Sequence, residues 1–544
     1  MFASLRRLGV VFVLAALALT AGSSSAWAGT LTHDQAQELR LYGAGLVVAR
    51  PGAGPALRRA GGVKIASALP VWRVPSRGAL QVLPGLVRDG LVSDVSVDQP
   101  LSTFEEPLQH AEWWIPAVGV DRAVAPGPGK PLTVIDTGVD MTHEEFASRP
   151  GTTVMNAQTT SGRLEEHGTA VASVAAASVN GLGIVGVYPQ AALQLWDASP
   201  TGDGITTGDV IRGLDAAIRR GPGVVNLSLG SQVRNPVLDA MVAVTVGSGT
   251  LVVAAAGNSR ERGSPHEYPA SLPHVFTVGA LDQGNSPAFF SSGSQHVDVS
   301  APGVNIPVAI PLTYHPPSFY DLYFSGTSFA SPIAAGAAAW VWTARPTLDL
   351  SQLSEVLRAS AQDVSSPGYD AFSGFGRLDI PGALAVVPPP KDPQEPNEDV
   401  SHVKPNGLFH RAAKPLTAAG RKSGAVSARL DLGEDPRDVY RVWIPGRRAA
   451  SIALQPSGGD VDLGAWGPRT KSVLEGGTAR KRDFRGLADR AGTKRERLRV
   501  KNRASKGAYF YVEASVGAGG GSAVRKVAGL RYKLSVSIVN AARR

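Results

Sequence analysis

The chain has 544 residues, a length that exceeds one ordinary domain and suggests about three or four. Hydrophobic residues make up 43% and charged residues 18%, which is typical of a compact globular protein and excludes a disordered or fibrous chain. The absence of cysteine excludes disulfides, thiolate metal sites, a cysteine nucleophile and lipidation through cysteine.

The net charge of +9 is unevenly distributed along the chain. From Lys391 to the C-terminus there are 31 Lys/Arg against 15 Asp/Glu, whereas residues 1–390 carry 23 against 30. Within the basic part, residues 480–506 hold 12 Lys/Arg against 3 Asp/Glu. Such a run could bind anionic cell-envelope polymers or negatively charged substrates. The alternative is a solvated loop, and we expect no nucleic-acid partner.

The N-terminus has the pattern of a secretory signal peptide over residues 1–28. Arg6 and Arg7 precede an apolar run from Leu8 to Ala21, and the small-x-small sequence that ends at Ala28 predicts cleavage after that residue. The apolar run is shorter than the roughly 20 residues that a spanning helix needs. We therefore expect a secreted protein with no membrane span in its mature form.

Residues 29–105 are predicted to form a small α+β unit with three strands. Its position between the signal peptide and the rest of the chain suggests a propeptide, and an N-terminal domain that stays attached is the equally weighted alternative. The predicted strands are Leu46–Ala49, Val71–Val74 and Val92–Val97.

Residues 106–386 alternate short apolar runs with helical patterns, which predicts an α/β domain with a doubly wound, mostly parallel sheet. The runs are continuous because strands of such a sheet are buried on both faces. The predicted strands are Leu132–Ile135, Val224–Leu227, Leu251–Ala256 and Val275–Val278, and the predicted helices are Gly208–Arg220 and Phe329–Thr343.

A proline-rich segment over residues 387–400 predicts a stiff linker and a domain boundary. Beyond it, residues 401–544 contain alternating apolar and polar stretches such as Asp438–Trp443 and Tyr509–Glu513. This period predicts the strands of an all-β domain, which we expect to be a C-terminal sandwich.

Three candidate catalytic residues lie at strand ends or at the starts of helices, where α/β folds usually place their active sites. Asp136 ends an apolar strand, His167 opens a helix of small residues, and Ser328 lies at a helix N-terminus. The glycine after His167 lets another backbone segment approach closely. Taken singly, these residues could be a turn residue, a structural histidine and a helix cap.

Taken together, the three residue types are what acyl transfer requires. A serine hydroxyl becomes a useful nucleophile when a base removes its proton, and a buried carboxylate orients that base and stabilises its charged form. Asn258 follows a buried strand and offers an amide donor for a developing oxyanion.

In this sequence the motifs are DTG at Asp136, HGT at His167, AAGN at Asn258 and GTSFASP at Ser328. The chain resembles the subtilisin-like serine proteases in these four motifs and in their order, over about half of its length. The resemblance implies a subtilisin-like fold and a serine endopeptidase that needs no cofactor for its chemistry and forms an acyl-enzyme. Phe329 and Ala170 depart from the family pattern, where methionine and histidine are common.

The resemblance also implies how a polypeptide substrate would bind. The segment that follows the predicted strand Val224–Leu227 should pair with an extended substrate as an added strand. This segment consists of Ser228, Leu229 and Gly230.

By the same resemblance, Glu267 lines the pocket for the residue that precedes the cut bond. Its carboxylate predicts some preference for lysine or arginine there. The alternative is an ion pair between Glu267 and Arg260 or Arg262 in the same loop.

The resemblance further implies that the N-terminal unit is an inhibitory propeptide, removed by self-cleavage between about residues 98 and 110. His110 and His143 are the competing histidines, but only His167 has the HGT context. We expect His110 and His143 to lie on the surface.

The C-terminal domain resembles the pre-peptidase C-terminal β-sandwich of secreted bacterial proteases, through Glu395–Glu398, Asp438–Tyr440, Asp460–Leu463 and Gly507–Phe510. Relatives of the protease domain often carry structural calcium, and carboxylates are available for it here. However, no stretch matches a known calcium loop, so no metal ligand is predicted.

Three other functions compete with this interpretation of the chain. A catalytically silent cell-envelope binding or adhesion protein could use the same scaffold, because a fold does not fix a function. An esterase of the α/β-hydrolase type would need the order Ser, Asp, His and a nucleophile elbow, which are absent at Ser328. A related acid-acting peptidase would carry a carboxylate in place of His167, whereas a histidine base predicts activity that rises with pH.

Overall fold

The computed structural model describes residues 39–40, 43–98, 106–160, 166–313, 319–409, 413–474, 483–517 and 529–541. The predicted signal peptide and most of the predicted maturation region lie outside the described residues. The chain divides into two compact units, Met1–Phe104 and Glu105–Arg544.

In its described residues, the N-terminal unit contains an antiparallel four-stranded sheet, in the order β2-β3-β1-β4, and two helices that connect strands of this sheet. The three predicted strands are present, while the longer helix was not predicted from the sequence. That helix buries Ala79, Leu83 and Leu86, a spacing that aligns them on one face. The elements are β1 Ala44–Ala49, α1 Gly54–Arg59, β2 Val63–Lys64, β3 Val71–Pro75, α2 Ser76–Arg88 and β4 Val92–Val97.

The second unit begins with a seven-stranded sheet in the order β11-β10-β9-β8-β5-β7-β6. All of its strand pairs are parallel, and this confirms the predicted α/β class. An antiparallel pair, β12 and β13, follows it. The strands are β5 Leu132–Asp136, β6 Thr152–Val154, β7 Leu193–Asp197, β8 Val224–Leu227, β9 Leu251–Ala255, β10 Val275–Leu281, β11 Val297–Pro302, β12 Ile306–Ala309 and β13 Tyr320–Phe324.

Several helices of this region begin at residues whose side chains cap the first turn. Thr206 accepts a hydrogen bond from the Asp209 amide, and Asp349 forms a capping box with Gln352. In the described part of the chain, no helix combines the length and the apolar character needed to cross a membrane. The helices are α3 Trp114–Val118, α4 Glu166–Ala176, α5 Thr207–Arg220, α6 Pro236–Gly247, α7 Thr327–Ala344, α8 Leu350–Ser360 and α9 Ile380–Ala385.

Helices cover both faces of the parallel sheet. Along β5, Val134 belongs to a core that includes α4 and α7, whereas the next residue, Ile135, joins a core that includes α5 and α6. Successive side chains of a strand point to opposite faces, so both faces need apolar residues. This requirement explains the continuous apolar runs in the sequence.

The C-terminal part forms two antiparallel four-stranded sheets, ordered β14-β21-β16-β19 and β15-β20-β17-β18. Their inner faces share one hydrophobic core, as expected for an all-β sandwich. The basic stretch predicted as a possible loop contains β18 and β19, while residues 480–482 lie outside the described residues. The elements are α10 Val400–Val403, β14 Ser423–Leu430, β15 Arg437–Ile444, β16 Arg448–Ser457, β17 Val461–Trp466, β18 Phe484–Ala488, β19 Glu496–Lys501, β20 Ala508–Val516 and β21 Leu530–Asn540.

The predicted linker packs against its neighbours in both its first and its second half. Val387 is exposed, but Asn397 and Glu398 are buried. The Gln352 amide in α8 donates to the Pro389 carbonyl at 2.7 Å. This segment is therefore part of the packed structure rather than a free tether.

Candidate active site

Asp136 and His167 come together at the carboxyl edge of the parallel sheet. Asp136 is the last residue of β5 and is fully buried, and His167 is the second residue of α4. Their Oδ1 and Nδ1 atoms are 2.6 Å apart. The Thr137 amide also donates to this Oδ1 at 2.8 Å, so two donors hold the carboxylate in place.

Gly168 allows helix α4 to start directly against the end of β5. A Cβ built on this glycine would lie 2.0 Å from the Thr137 carbonyl oxygen, so no larger residue fits. The Gly168 amide donates to Thr137 Oγ1 at 2.7 Å. The expected close backbone approach is present, and Thr137 is a positioning residue that the sequence reasoning missed.

The environment of His167 raises the pKa of its imidazole above the ordinary value. Burial alone would lower this pKa, but the charge of Asp136 and its hydrogen bond raise it, and Glu166 adds a further negative charge. The side chain keeps 31% exposure, so its second ring nitrogen has access to the surface. Phe329 packs beside the imidazole, with ring centroids 5.9 Å apart.

Ser328 lies in the first turn of α7 and is tied to the end of β8. Its Oγ donates to the Ser228 carbonyl at 3.3 Å, and the Ser228 Oγ donates to the Ser328 carbonyl at 2.7 Å. Asn226 is buried and contacts both sides of this junction, donating to Ser228 Oγ at 3.0 Å and accepting from Ser331 Oγ at 2.7 Å.

Asn226 and Ser331 therefore lock α7 onto β8, and the sequence reasoning missed both. A polar residue inside the apolar run Val224–Leu227 is the signal that could have revealed Asn226, because a buried amide needs partners.

Asn258 follows β9, and its side-chain orientation is determined by its neighbours. Oδ1 accepts from the amide and from the hydroxyl of Thr327, both at 2.9 Å. The Nδ2 group is then left to face outward, and a Cβ built on Gly326 would lie 3.5 Å from it. The amide donor is thus presented next to the start of α7, on an exposed residue.

The predicted substrate-pairing segment, residues 228–230, runs from the buried end of β8 to the surface, where Gly230 is exposed. The following residue, Ser231, pairs with Tyr268 through two backbone hydrogen bonds of 2.8 and 2.9 Å. This pairing brings the loop with Glu267 next to the segment, and a Cβ built on Gly230 would lie 3.8 Å from Glu267 Oε2.

The expected ion pair between Glu267 and a neighbouring arginine is absent from the described ion pairs of the chain. Glu267 Oε1 instead accepts from Gln232 Nε2 at 3.2 Å and from Ser259 Oγ at 3.3 Å. The Arg260 guanidinium lies 4.0 Å from the centroid of the Phe372 ring and donates to two backbone carbonyls. Glu267 therefore accepts hydrogen bonds from neutral donors and not from the arginine that the alternative predicted.

Both competing histidines were predicted to lie on the surface, and for one of them this prediction is wrong. His110 is exposed, but His143 is completely buried. Its Nε2 is 2.9 Å from the Phe319 carbonyl and its Nδ1 accepts from the Glu145 amide at 3.2 Å. Both ring nitrogens are used by the backbone, so His143 is a structural histidine.

Comparisons with known proteins identify the family of the chain. The sequence pattern of the subtilase family matches residues 127–376, which contain the four motifs. The chain belongs to the subtilase family and is a subtilisin-like serine endopeptidase.

Individual relatives align over about half of the chain. The subtilisin of Bacillus pumilus is 34% identical over 292 residues, which cover 53% of this chain and 98% of the relative. Subtilisin E of Bacillus subtilis (strain 168) is 32% identical over 302 residues, covering 55% and 77%. Among solved structures, a psychrophilic subtilisin-like protease of Pseudoalteromonas sp. AS-11 is 20% identical and covers 50% of this chain and 97% of its own, with a TM-score of 0.45.

Proposed function

We propose that Ser328 is the nucleophile, His167 the general base and Asp136 the carboxylate that orients it. The observation that carries the proposal is the 2.6 Å contact between His167 Nδ1 and Asp136 Oδ1. With Nδ1 committed to the carboxylate, only Nε2 is left to accept a proton.

Catalysis then follows the chemistry of acyl transfer. The Ser328 hydroxyl exchanges its bond to Ser228 for His167 Nε2, loses its proton to that nitrogen and attacks the substrate carbonyl carbon. The imidazolium is stabilised by Asp136 and returns the proton to the leaving amine as the carbon–nitrogen bond breaks. Water then attacks the acyl-enzyme by the same route, and no cofactor is required.

Asn258 is proposed to stabilise the oxyanion through Nδ2. Its Oδ1 is already held by Thr327, so the donor is oriented before the substrate arrives. A donor that needs no reorganisation stabilises the transition state most effectively.

An extended polypeptide is the proposed substrate, paired with Ser228, Leu229 and Gly230 as an added strand. Glu267 supplies a carboxylate next to Gly230, and the absence of an arginine partner within the described ion pairs favours a lysine or arginine side chain of the substrate. Cleavage-site profiling of Glu267→Gln tests this directly. An unchanged preference in the variant would contradict the role of Glu267.

Export and maturation are proposed from the sequence. Residues 1–28 would be removed as a signal peptide, and residues 29–105 would act as an inhibitory propeptide. N-terminal sequencing of the secreted wild type and of Ser328→Ala tests both steps. We expect a new N-terminus between about residues 98 and 110 in the wild type only, because Ser328→Ala cannot cleave itself.

The C-terminal sandwich is proposed to resemble a pre-peptidase C-terminal domain and to bind anionic cell-envelope polymers. A cavity of about 1180 Å³ opens between its strands, with one acidic residue, Asp483, among its described lining residues. Retention on envelopes that is insensitive to salt would contradict an electrostatic role. The basic residues that line the cavity are Arg469, Lys471, Arg485, Arg499, Lys501 and Arg503.

The decisive experiment is labelling of the secreted protein with a fluorophosphonate, followed by mass spectrometry of the adduct. We expect one adduct, on Ser328, that is lost in Ser328→Ala and retained in the matched control Ser325→Ala. The control changes an exposed serine of the same loop. A folded, propeptide-free protein without an adduct would favour the second candidate, a catalytically silent envelope-binding protein.

A further inference from the structure

The C-terminal sandwich packs directly against the parallel-sheet region. The chain divides into two compact units, and the second of them, Glu105–Arg544, contains both of these parts. Phe409, which lies beyond the predicted linker, packs against helix α6, since a Cβ built on Gly247 would lie 2.6 Å from its ring. The two parts therefore form one body and are not separate domains joined by a tether.

One loop of the sandwich contacts the loop that carries Glu267. We call residues 431–436, between β14 and β15, the sandwich loop, and residues 266–274, which lead into β10, the pocket loop. The backbone amide of His274 donates to the Glu434 carbonyl at 3.0 Å. This bond joins the main chains of the two loops, so the sandwich holds the end of the pocket loop.

The sandwich loop also supports the start of the pocket loop, through a histidine that directly precedes β11. The Nδ1 atom of His296 is 2.8 Å from the Gly433 carbonyl, and because a carbonyl only accepts, Nδ1 is the donor. The ring of His296 packs edge-on against the ring of His266, with centroids 5.7 Å apart. His266 is the neighbour of Glu267 in sequence, so this contact bears on the position of the carboxylate.

A third connection runs through buried charges to the middle of the pocket loop. Arg358 binds both Glu434 of the sandwich loop and Asp298 in β11. Asp298 Oδ2 accepts from the Thr277 amide at 2.7 Å, and Thr277 Oγ1 donates to the Ala270 carbonyl at 2.6 Å. Buried polar networks in which the members satisfy one another are rigid. The pocket loop is thus connected to the sandwich loop at its start, its middle and its end.

The pocket loop in turn shapes the proposed substrate site. Tyr268 pairs with Ser231, which directly follows the substrate-pairing segment. The Glu267 side chain lies against the residue before the proposed oxyanion donor, since a Cβ built on Gly257 would lie 2.6 Å from Glu267 Cγ. A shift of the pocket loop would therefore move the Glu267 carboxylate relative to a bound substrate.

We propose that the C-terminal sandwich is a permanent part of the mature enzyme, and that its sandwich loop holds the Glu267 carboxylate in position for a basic substrate side chain. This inference rests on the proposed role of Glu267 in substrate selection. His296 is a positioning residue, because it acts on the pocket loop through His266. A binding group whose position is fixed before the substrate arrives costs less ordering on binding.

Loss of the sandwich would break all three connections together. It would take away Glu434, one of the carboxylates that balance the buried Arg358 guanidinium, and it would uncover the part of α6 that packs against Phe409. An enzyme that shed residues 401–544 during maturation would lose both stability and selectivity.

The first measurement is the intact mass of the active enzyme that is secreted from the full-length chain. A fluorophosphonate on Ser328 marks the active molecules, so the mass of the labelled species shows whether they still carry the sandwich. We expect every labelled species to contain the sandwich through β21. An active, labelled species that lacks residues 401–544 would overturn the proposal.

His296→Phe in the full chain tests the positioning role. Phenylalanine keeps an aromatic ring against His266 but cannot donate to the Gly433 carbonyl. We expect kcat/KM for a peptide with lysine before the cut bond, relative to one with leucine, to fall by about tenfold, since misplacing a positioning group by about 1 Å can cost about 10²-fold. The loss should appear mainly in KM, because the chemistry at Ser328 is not displaced.

His110→Phe is the matched control for this variant. His110 also uses Nδ1 to bind a backbone carbonyl, that of Pro107 at 3.0 Å, but it is exposed. The ratio of the two kcat/KM values should stay at the wild-type value in this control. An equal loss in His110→Phe and His296→Phe would contradict a specific role of His296.

A double-mutant cycle with Glu267→Gln separates this inference from the proposed role of Glu267. If His296 acts through Glu267, His296→Phe should not lower the ratio further in the Glu267→Gln background. An unchanged ratio in Glu267→Gln alone would contradict the role of Glu267, and the inference with it. A ratio that falls in Glu267→Gln but not in His296→Phe, or that falls equally in both backgrounds, would overturn the positioning by the sandwich loop alone.

Discussion

Two histidines of this protein each pair with a buried carboxylate, but their surroundings differ. His167 faces one carboxylate, Asp136, and keeps 31% exposure. His274 faces Glu398 and Glu395 together, and its side chain is 15% exposed. The first has a ring nitrogen available to a substrate, whereas the second is enclosed among acids.

The difference shows that a histidine–carboxylate pair does not define a catalytic base. Around His167, Asp136 and the additional negative charge of Glu166 stabilise the protonated imidazole against the effect of burial, while its side chain keeps 31% exposure. The pair around Glu398 lies among further carboxylates: burial lowers the pKa of His274, but Glu398, Asp438 and Asp392 together raise it above the ordinary value. The following variants test this contrast, from the largest expected effect to the smallest.

The largest effect is expected from removing the carboxylate of the catalytic pair. Asp136→Asn should lower kcat by about 10⁴-fold, the loss known for the corresponding carboxylate in serine proteases. The amide leaves the wrong tautomer of His167 in place, while the Tm should change little. Steady-state kinetics on a peptide substrate measure the effect.

Glu398→Gln is the matched change in the other pair. It should leave kcat within about twofold of the wild type, since Glu398 contacts no residue of the proposed active site. A loss of activity comparable to that of Asp136→Asn would abolish the distinction between the two pairs.

A smaller effect, on stability instead of activity, is expected at the sandwich loop. Arg358 is 5% exposed and binds Asp298, Glu355 and Glu434, so it balances charge there. Arg358→Met would leave three buried carboxylates without their cation and should cost about 3–5 kcal/mol in the free energy of unfolding. Denaturant unfolding of the variant in a Ser328→Ala background measures this cost.

Arg212→Ala is the control for that measurement. Arg212 pairs with Asp209 on helix α5 but is 63% exposed, so its loss should cost no more than about 1 kcal/mol. If Arg358→Met and Arg212→Ala lowered the free energy of unfolding by the same amount, the burial of the Arg358 ion pairs would contribute nothing to stability.

A slightly smaller effect, again on activity, is expected from removing the oxyanion donor. Asn258→Ala should lower kcat by about 10²–10³-fold, the range known for the same group in subtilisin, with KM little changed. Asn258→Asp keeps the acceptor for Thr327 but removes the donor. If the aspartate variant retained wild-type kcat, Asn258 would act only by holding Thr327.

The catalytic region was largely predictable because its signals are local. Apolar runs predicted four of the seven strands of the parallel sheet, each to within three residues. Asp136 ends a strand, His167 lies in the first turn of a helix and Asn258 comes three residues after a strand. Carboxyl ends of parallel strands share one edge of the sheet, so residues far apart in sequence could be placed together.

The contacts between the parallel-sheet region and the C-terminal part were not predictable for the opposite reason. His274 and Glu398 are 124 residues apart in sequence, and no strand period or motif relates them. His143 was wrongly expected at the surface because its backbone partner, Phe319, is 176 residues away. The alternative ion pair of Glu267 with Arg260 or Arg262 does not appear among the described ion pairs, and the Arg260 guanidinium instead lies over the ring of Phe372, a residue distant in sequence.

The smallest effect is a shift in the pH dependence of activity. His167 must be neutral to accept a proton, so kcat/KM should rise with pH through the pKa of His167. Since Asp136 and then Glu166 raise this pKa against the effect of burial, the midpoint should lie above the ordinary histidine value of about 6.5. A pH profile of kcat/KM gives the midpoint.

Glu166→Gln refines this prediction. Removing its negative charge lowers the pKa of His167, so the acidic limb of the profile should move to lower pH and activity below the midpoint should increase. Glu261→Gln removes an exposed carboxylate from the loop after β9 and should leave the profile in place. A profile that moves to higher pH in Glu166→Gln would mean that a group other than His167 controls the acidic limb.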